Sequence, residues 1–143
     1  MKKNKIPRGI RNRNPLNIER NASRWKGMRK VQTDPRFVQF EELQWGIRAA
    51  FIILNNYYYK HGCRTLRQFI SRWCPPAERG NNTENYIQFV ALKADILPDD
   101  ELPAPDKEQI IWATIVNKMI LVECGGHWLN YAIIDAGWSL AFE

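Results

Sequence analysis

The chain has 143 residues, of which 45% are hydrophobic and 12% aromatic. This length and composition predict one globular domain over residues 1–143 with a sizeable apolar core, and argue against two domains. The net charge of +6 is unevenly placed, because residues 1–36 hold 12 of the 21 Lys and Arg residues but only two of the 15 Asp and Glu residues. We expect residues 1–7 to form a basic, flexible tail.

The sequence carries no recognisable export signal or membrane span. Its basic first residues precede no apolar stretch of the signal-peptide kind, and the longest later apolar run, residues 49–54, is too short to cross a bilayer. Cys63, Cys74 and Cys124 are an odd number of cysteines without paired short spacing, so reduced thiols are expected. The chain is therefore expected to be made in the cytoplasm, and action elsewhere would need another export system.

Apolar residues at helical spacing follow residue 40. They predict a long helix from Glu41 to Lys60 that Gly62 ends, and a second helix from Thr65 to Trp73. Further helices are predicted at about residues 83–94, 106–122 and 129–141.

Asn82 or Thr83 is expected to cap the third helix, and Asp106 the fourth, with Gln109 as capping-box partner. The sequence thus predicts a mainly α protein of about five helices. Its irregular N-terminal third has room for a short hairpin.

A pattern of asparagine, tryptophan, glycine and phenylalanine runs through the N-terminal third. It comprises Gly9 to Ile18, Trp25-Lys26-Gly27, and then Asp34, Phe37, Phe40, Gly46, Arg48 and Ala49. It continues in Ser71-Arg72-Trp73, Pro75-Pro76, Glu78, Thr83, Tyr86, Glu123, Gly125, Gly137 and Ala141. The pattern resembles the phage "structural protein P5" type family over nearly the whole chain. This resemblance implies a virion protein of phages or prophage-like regions, with a suspected lysozyme-like role and domain.

A second segment is similar to part of the wall-degrading glucosaminidases of the flagellar and autolysin type. Those enzymes have an asparagine loop followed by a phenylalanine-containing segment that opens a helix, and the stretches 12–18 and 37–40 look alike. In those enzymes the acid glutamate ends a helix just before the asparagine loop. The comparable glutamate here is Glu123, near the C-terminus, so the similarity implies a permuted order.

Glu123 is the leading candidate for a catalytic acid. It ends an almost wholly apolar predicted helix, and apolar surroundings and a helix C-terminus both favour a protonated carboxyl. Asp34 and Glu78 are candidates for a second carboxylate in a two-acid glycosidase mechanism. Each residue also has a structural reading: Glu123 as a solvated helix end, Asp34 as a turn former and Glu78 as a helix cap. A single-glutamate mechanism, assisted by the substrate's acetamido group or forming an anhydro product, needs only Glu123.

Amide and aromatic side chains supply the candidate sugar contacts. Amides can donate to and accept from acetamido groups, and flat aromatic faces can stack on sugar rings. The predicted substrate-binding residues are Asn12, Asn14, Asn17, Trp25, Tyr58, His127 and Trp128. We predict no metal site and no cofactor, because the spacing of the His and Cys residues matches no closed zinc site.

Three function classes follow. The first is a phage- or prophage-associated hydrolase or lytic transglycosylase that cuts peptidoglycan glycan strands, acts at the cell wall or in a virion, and has virion or secretion-machine components as further partners. The second is a non-catalytic virion or cell-wall-binding structural protein. The third, a nucleic-acid-binding module, rests on the basic N-terminal third and ranks last, because no recognition helix carries the charges.

Overall fold

Six helices make up most of the part of the chain that the structure describes. The computed structural model describes residues 5–76, 78 and 80–143, so residues 1–4 of the predicted tail lie outside it. The helices are α1 (Arg8–Arg11), α2 (Leu43–His61), α3 (Leu66–Trp73), α4 (Thr83–Ala94), α5 (Gln109–Glu123) and α6 (Tyr131–Phe142). The described residues form no β-strand. The prediction of a mainly α protein is confirmed, with the four-residue α1 as an addition.

The irregular N-terminal third is held by side chains more than by a β-ladder. The sequence left room for a short hairpin here. The described residues instead form two isolated antiparallel bridges, at Glu19–Phe37 and Met28–Phe40. Between them, the Gln32 amide donates to the Gln39 carbonyl at 2.8 Å and accepts from the Gln39 backbone N–H at 2.7 Å. These side-chain amides bond to backbone groups that a β-ladder would otherwise pair, so the two bridges do not extend into strands.

Most helix ends lie where their capping residues predict. Thr65 and Gln68 form a capping box at the start of α3, and Gly62 ends α2 in the left-handed conformation with φ of 69°. The Asn82 side chain accepts a hydrogen bond from a backbone N–H of α4. Asn130 does the same for α6, which therefore begins two residues after the predicted Leu129.

The start of α5 differs from the prediction. Asp106 is not its N-cap, because the helix begins only at Gln109. The indole N–H groups of Trp112 and Trp138 donate to carbonyl oxygens of the preceding segment 103–105, at 2.8 and 2.9 Å. One of these bonds comes from α5 itself and the other from α6, and together they hold the segment as a turn outside the helix.

The apolar core lies between α2 and the other long helices. Helix α2 packs most extensively against α6, while α4 packs against both α3 and α5. Phe69 and Trp112 meet edge to face, with ring centroids 4.7 Å apart. The largest fully buried side chains are Trp112, Phe40, Phe51, Phe69, Leu16, Ile47, Leu54, Leu66, Ile70, Ile87, Ile115 and Met119. Because Leu16 and Phe40 belong to this core, the N-terminal loop is docked onto the helices.

A glycine sets the spacing between α2 and α6. Gly137 of α6 is buried against Ile47 of α2. A Cβ atom at residue 137 would lie 2.5 Å from the Ile47 Cβ and 3.1 Å from the Arg48 backbone nitrogen. A β-branched side chain and a backbone atom have little freedom to move away, so the helices can approach this closely only with glycine at this position.

We expect Gly137→Ala to lower the free energy of unfolding by roughly 1–2 kcal/mol, because overpacking outweighs the better helix propensity of alanine. Urea unfolding followed by circular dichroism measures this change. The matched control is Ala136→Ser at the exposed neighbouring position, for which a change of only a few tenths of a kcal/mol is expected. A Gly137→Ala protein as stable as the wild type would show that α2 and α6 can separate without cost.

Candidate functional site

Asp34 is the anchor of the N-terminal loop. Its carboxylate accepts two hydrogen bonds from the Arg8 guanidinium, both at 2.7 Å, one from the Asn12 amide at 2.9 Å, and others from the Arg36 and Phe37 backbone N–H groups. The bonds from Arg8 hold the pKa of Asp34 well below its usual range, and the other donors lower it further. Asp34 was predicted as a catalytic carboxylate, but its oxygens are committed to the fold.

Asn12 and Asn14 are structural for the same reason. Asn14 is fully buried, and its amide donates to the carbonyls of Ile18 and Val38 at 3.0 and 2.8 Å. Asn12 is 5% exposed and accepts a hydrogen bond from the Gln39 amide at 3.1 Å. Both were predicted to contact a sugar. Their hydrogen bonds lie within the loop instead: Asn14 satisfies backbone groups, and Asn12 bonds to the Asp34 and Gln39 side chains.

Asn17 connects this loop to the end of α5. Its Nδ2 donates to Glu123 Oε1 at 3.0 Å and to the Glu123 carbonyl oxygen at 3.2 Å. The residue has a φ of 54°, a left-handed conformation that asparagine adopts more readily than most residues. The asparagine loop and the helix-ending glutamate, 106 positions apart in sequence, therefore meet in space.

The Glu123 carboxylate is held by neutral donors. Besides Asn17, the Tyr86 hydroxyl donates to Glu123 Oε2 at 2.9 Å. Burial raises the pKa of Glu123 above its ordinary value, while Asn17, Tyr86, Trp73 and, more weakly, the charge of Arg36 act to lower it. The net direction is upward. A carboxyl of this kind keeps its proton to higher pH than an exposed glutamate, as a general acid requires.

Glu123 lies where two cavities meet. The larger, of about 700 Å³, is an open groove between the N-terminal loop, α2, α3 and the segment after α3. It is lined by Leu16, Asn17, Ile18, Glu19, Asn21, Ser23, Trp25, Arg36, Phe37, Ile53, Asn56, Tyr57, Arg72, Trp73, Cys74, Pro75, Glu78, Asn81 and Glu123. The second cavity, of about 610 Å³, is more apolar and lies between α4 and the end of α5. Cys74 and Glu123 line both cavities.

The groove contains some of the other predicted site residues. Trp25 lines it, and within the described residues its buried indole nitrogen has no hydrogen-bond partner. Glu78 also lines it and is exposed, so it stays a candidate second carboxylate. Glu19 lines the groove too, but its carboxylate is paired with Arg36 at 2.9 Å.

Three predicted sugar-binding residues lie outside both cavities. Tyr58 packs under the Arg64 guanidinium, 3.7 Å from its ring centroid. His127 and Trp128 follow α5 and are exposed, and neither lines the groove or the apolar cavity beside it. The neighbouring Tyr57 occupies the groove position that was expected of Tyr58, because successive helix residues point about 100° apart.

Sequence reasoning missed two residues of chemical interest, Arg72 in the groove and Tyr86 in the apolar cavity beside it. Tyr86 is a buried residue of α4, and a 3.6-residue repeat alone identifies it as core. Its hydroxyl needs a polar partner when buried, which is the signal that could have linked it to a buried acid. Arg72 stands beside Trp73 in the family pattern, but nothing local in the sequence directs it to a groove.

Cys124, next to Glu123, is packed away from the groove. Its thiol donates to the Pro15 carbonyl oxygen at 3.2 Å, and burial raises its pKa to about 12. In the part of the chain that the structure describes, no three His, Cys, Asp or Glu side chains come together in a way that would hold a metal ion. The chemistry available at the site is therefore that of a carboxylic acid among amides and aromatic rings.

Comparison with known proteins gives the family. No family model matches the chain. Protein P5 of Pseudoalteromonas phage PM2 is 36% identical over 147 aligned positions, which cover 97% of this chain and 84% of that protein. The chain belongs to the P5 family of phage proteins. The family membership predicted from the asparagine and aromatic pattern is therefore confirmed.

A helix that spans a membrane needs about 20 consecutive, mostly apolar residues. Among the described helices of this P5-family chain, none combines the length and apolarity that a bilayer crossing requires.

For this P5-family protein we expect Glu123→Gln to be stabilising at high pH relative to the wild type. A carboxyl whose pKa is raised by folding carries no penalty below its unfolded pKa, and its buried charge costs stability as pH rises through the folded pKa. Glutamine removes that charge, so the difference in melting temperature, variant minus wild type, should increase from about pH 4 to about pH 8.

The matched control for this measurement is Glu41→Gln, which alters an exposed glutamate outside both cavities. Its difference from the wild type should vary little with pH. A difference for Glu123→Gln that is independent of pH would mean that folding does not raise the pKa of Glu123.

Proposed function

We propose that this P5-family protein is a phage-associated, lysozyme-like enzyme that cuts the glycan strands of peptidoglycan, with Glu123 as the general acid. The observation that carries the proposal is the position of Glu123. It ends an apolar helix, lies in the floor of an open groove, and is held by Asn17 and Tyr86 in surroundings that raise its pKa. Glycosidic cleavage requires a general acid that keeps its proton and that the substrate can reach, and Glu123 in this open groove is suited to that role.

In the proposed reaction, protonated Glu123 gives its proton to the glycosidic oxygen as the bond from that oxygen to the anomeric carbon breaks. The sugar left behind carries an oxocarbenium-like positive charge, and the Glu123 carboxylate accepts hydrogen bonds from Asn17 and Tyr86 while it is ionised. A water or the sugar's own 6-hydroxyl then attacks the anomeric carbon and returns a proton to Glu123. Water gives hydrolysis, and the 6-hydroxyl gives an anhydro end.

A second carboxylate is the open element of this mechanism. Glu19 is paired with Arg36, and Asp34 is bonded to Arg8 outside the groove, so Glu78 is the groove carboxylate that is left for that role. A single-glutamate mechanism, with the substrate's acetamido group as internal nucleophile or an anhydro product, needs no second acid. We favour the single-glutamate form, because two of the three other candidate carboxylates are held by arginines.

The groove walls suit a chain of acetamido sugars. Asn21, Asn56 and Asn81 offer amide donors and acceptors, while Trp25 and Tyr57 offer ring faces. The substrate proposed is therefore peptidoglycan at the cell wall, reached through a virion or a secretion machine. Components of that virion or machine are the proposed protein partners.

A second function is a non-catalytic virion or wall-binding protein that uses the same groove. The observation that favours it is the pairing of Glu19 with Arg36, because it occupies one of the carboxylates that line the groove with Glu123. Such a protein would hold glycan strands through the same amides and rings without cleaving them.

The test is release of soluble muropeptides from purified peptidoglycan by the wild type and by Glu123→Gln, with mass analysis of the new ends. We expect release by the wild type and a loss of at least about 100-fold in the variant, which cannot donate the proton. The end group separates muramidase, glucosaminidase and transglycosylase chemistry.

Glu41→Gln is the control for this assay and should release muropeptides at the wild-type rate. If neither the wild type nor the variants release any product, although the folded proteins sediment with the wall, the non-catalytic function is correct. Equal release by Glu123→Gln and the wild type would assign the acid to another residue.

We further expect Tyr86→Phe to shift the pH profile of muropeptide release. The Tyr86 hydroxyl stabilises the ionised form of Glu123, so its removal raises the pKa of Glu123 further. A general acid works only while it is protonated, and the rate falls as pH passes its pKa. The falling limb should therefore move to higher pH in Tyr86→Phe.

Tyr59→Phe is the control for this profile, because it removes a hydroxyl that bonds to Asp106 far from the groove. Its falling limb should coincide with that of the wild type. A limb that stays in place in Tyr86→Phe would show that Glu123 is not the group whose titration limits the rate.

A further inference from the structure

Arg72 places a guanidinium in the wall of the groove. It lies in the last turn of α3, is exposed, and has its Cζ 5.3 Å from the Tyr57 ring centroid. Within the described residues it pairs with no carboxylate, whereas Arg36 in the same groove is bonded to Glu19. Stacking on a ring restricts the direction of the guanidinium and leaves its N–H edge for a ligand.

Arg64 and Arg72 both stack on a tyrosine, but they differ in their hydrogen bonds. Arg64 also stacks on a tyrosine, at 3.7 Å from the Tyr58 ring, but it donates to the carbonyls of Tyr58 and Cys63 at 2.8 and 2.9 Å. Its hydrogen bonds therefore serve the turn after α2. Among the described residues Arg72 has no comparable acceptor, so its donors are available to a molecule in the groove.

We propose that Arg72 binds a carboxylate of the peptide stem on peptidoglycan, and that the groove therefore prefers peptide-substituted glycan to bare glycan. This inference rests on the proposed function, because it takes the groove of Glu123 as the glycan site. Stem peptides carry free carboxylates, and a planar guanidinium binds a carboxylate through two parallel hydrogen bonds. Arg36, the other arginine of the groove, is paired with Glu19, so Arg72 is the guanidinium that is left for this carboxylate.

The experiment measures binding rather than cleavage. The full chain with Glu123→Gln is titrated by calorimetry with two probes, a disaccharide-tetrapeptide muropeptide and the same disaccharide with a simple amide on its lactyl group in place of the peptide, so that the second probe carries no carboxylate. We expect the muropeptide to bind about tenfold more tightly. Adding Arg72→Gln should abolish that difference and leave the affinity for the bare disaccharide unchanged, while Arg72→Lys should keep part of it.

Lys60→Gln removes one positive charge from an exposed site outside the groove and should keep the tenfold preference. Equal binding of both probes to the protein with Arg72, or an equal loss of affinity for both probes in Arg72→Gln, overturns the inference while the groove stays a glycan site. Binding of neither probe overturns the inference and the proposed function together. Circular dichroism of each variant establishes that it is folded.

Discussion

The hydrogen bonds from the Asn17 amide to Glu123 join the N-terminal loop to the end of α5 and hold Glu123 in the groove that the loop forms with α2 and α3. The Cys124 thiol makes a second link, to the Pro15 carbonyl. Both links require the loop to be docked in one conformation. Asp34 provides that conformation, because its carboxylate collects donors from α1 and from both sides of the loop. The floor of the groove thus depends on an ion pair that lies outside it.

Asp34 and Glu123 illustrate how partners decide the ionisation of a carboxyl group. Asp34 is almost wholly buried, yet the Arg8 guanidinium and several N–H donors hold its pKa below the usual range. Glu123 has an amide and a phenol as its hydrogen-bond partners, so desolvation dominates and its pKa is raised. Burial alone therefore does not predict protonation. The charge of the nearest donor does, and it divides these acids into a structural and a candidate catalytic one.

Sequence patterns were sufficient for most of the helices and for the position of Glu123 at the end of α5, but not for side chains whose partners lie elsewhere in the chain. Capping residues such as Thr65 act within one turn, so their effect can be predicted locally. Asn14 could not be assigned in this way, because an amide that binds sugars and one that satisfies buried backbone have the same chemistry. Tyr86 could not be assigned either, because its partner Glu123 lies 37 positions away in the sequence. The start of α5 was wrong for a related reason, since Trp138 reaches it from the last helix.

The burial of Cys124 lowers the reactivity of its thiol. A thiol is oxidised or alkylated mainly as its thiolate. With a pKa of about 12, Cys124 is a thiolate in on the order of one molecule in 10⁵ at neutral pH. Cys124, which follows Glu123 in the sequence, is therefore chemically unreactive. Covalent modification beside Glu123 is therefore expected at the partly buried Cys74, which lines both cavities, before Cys124.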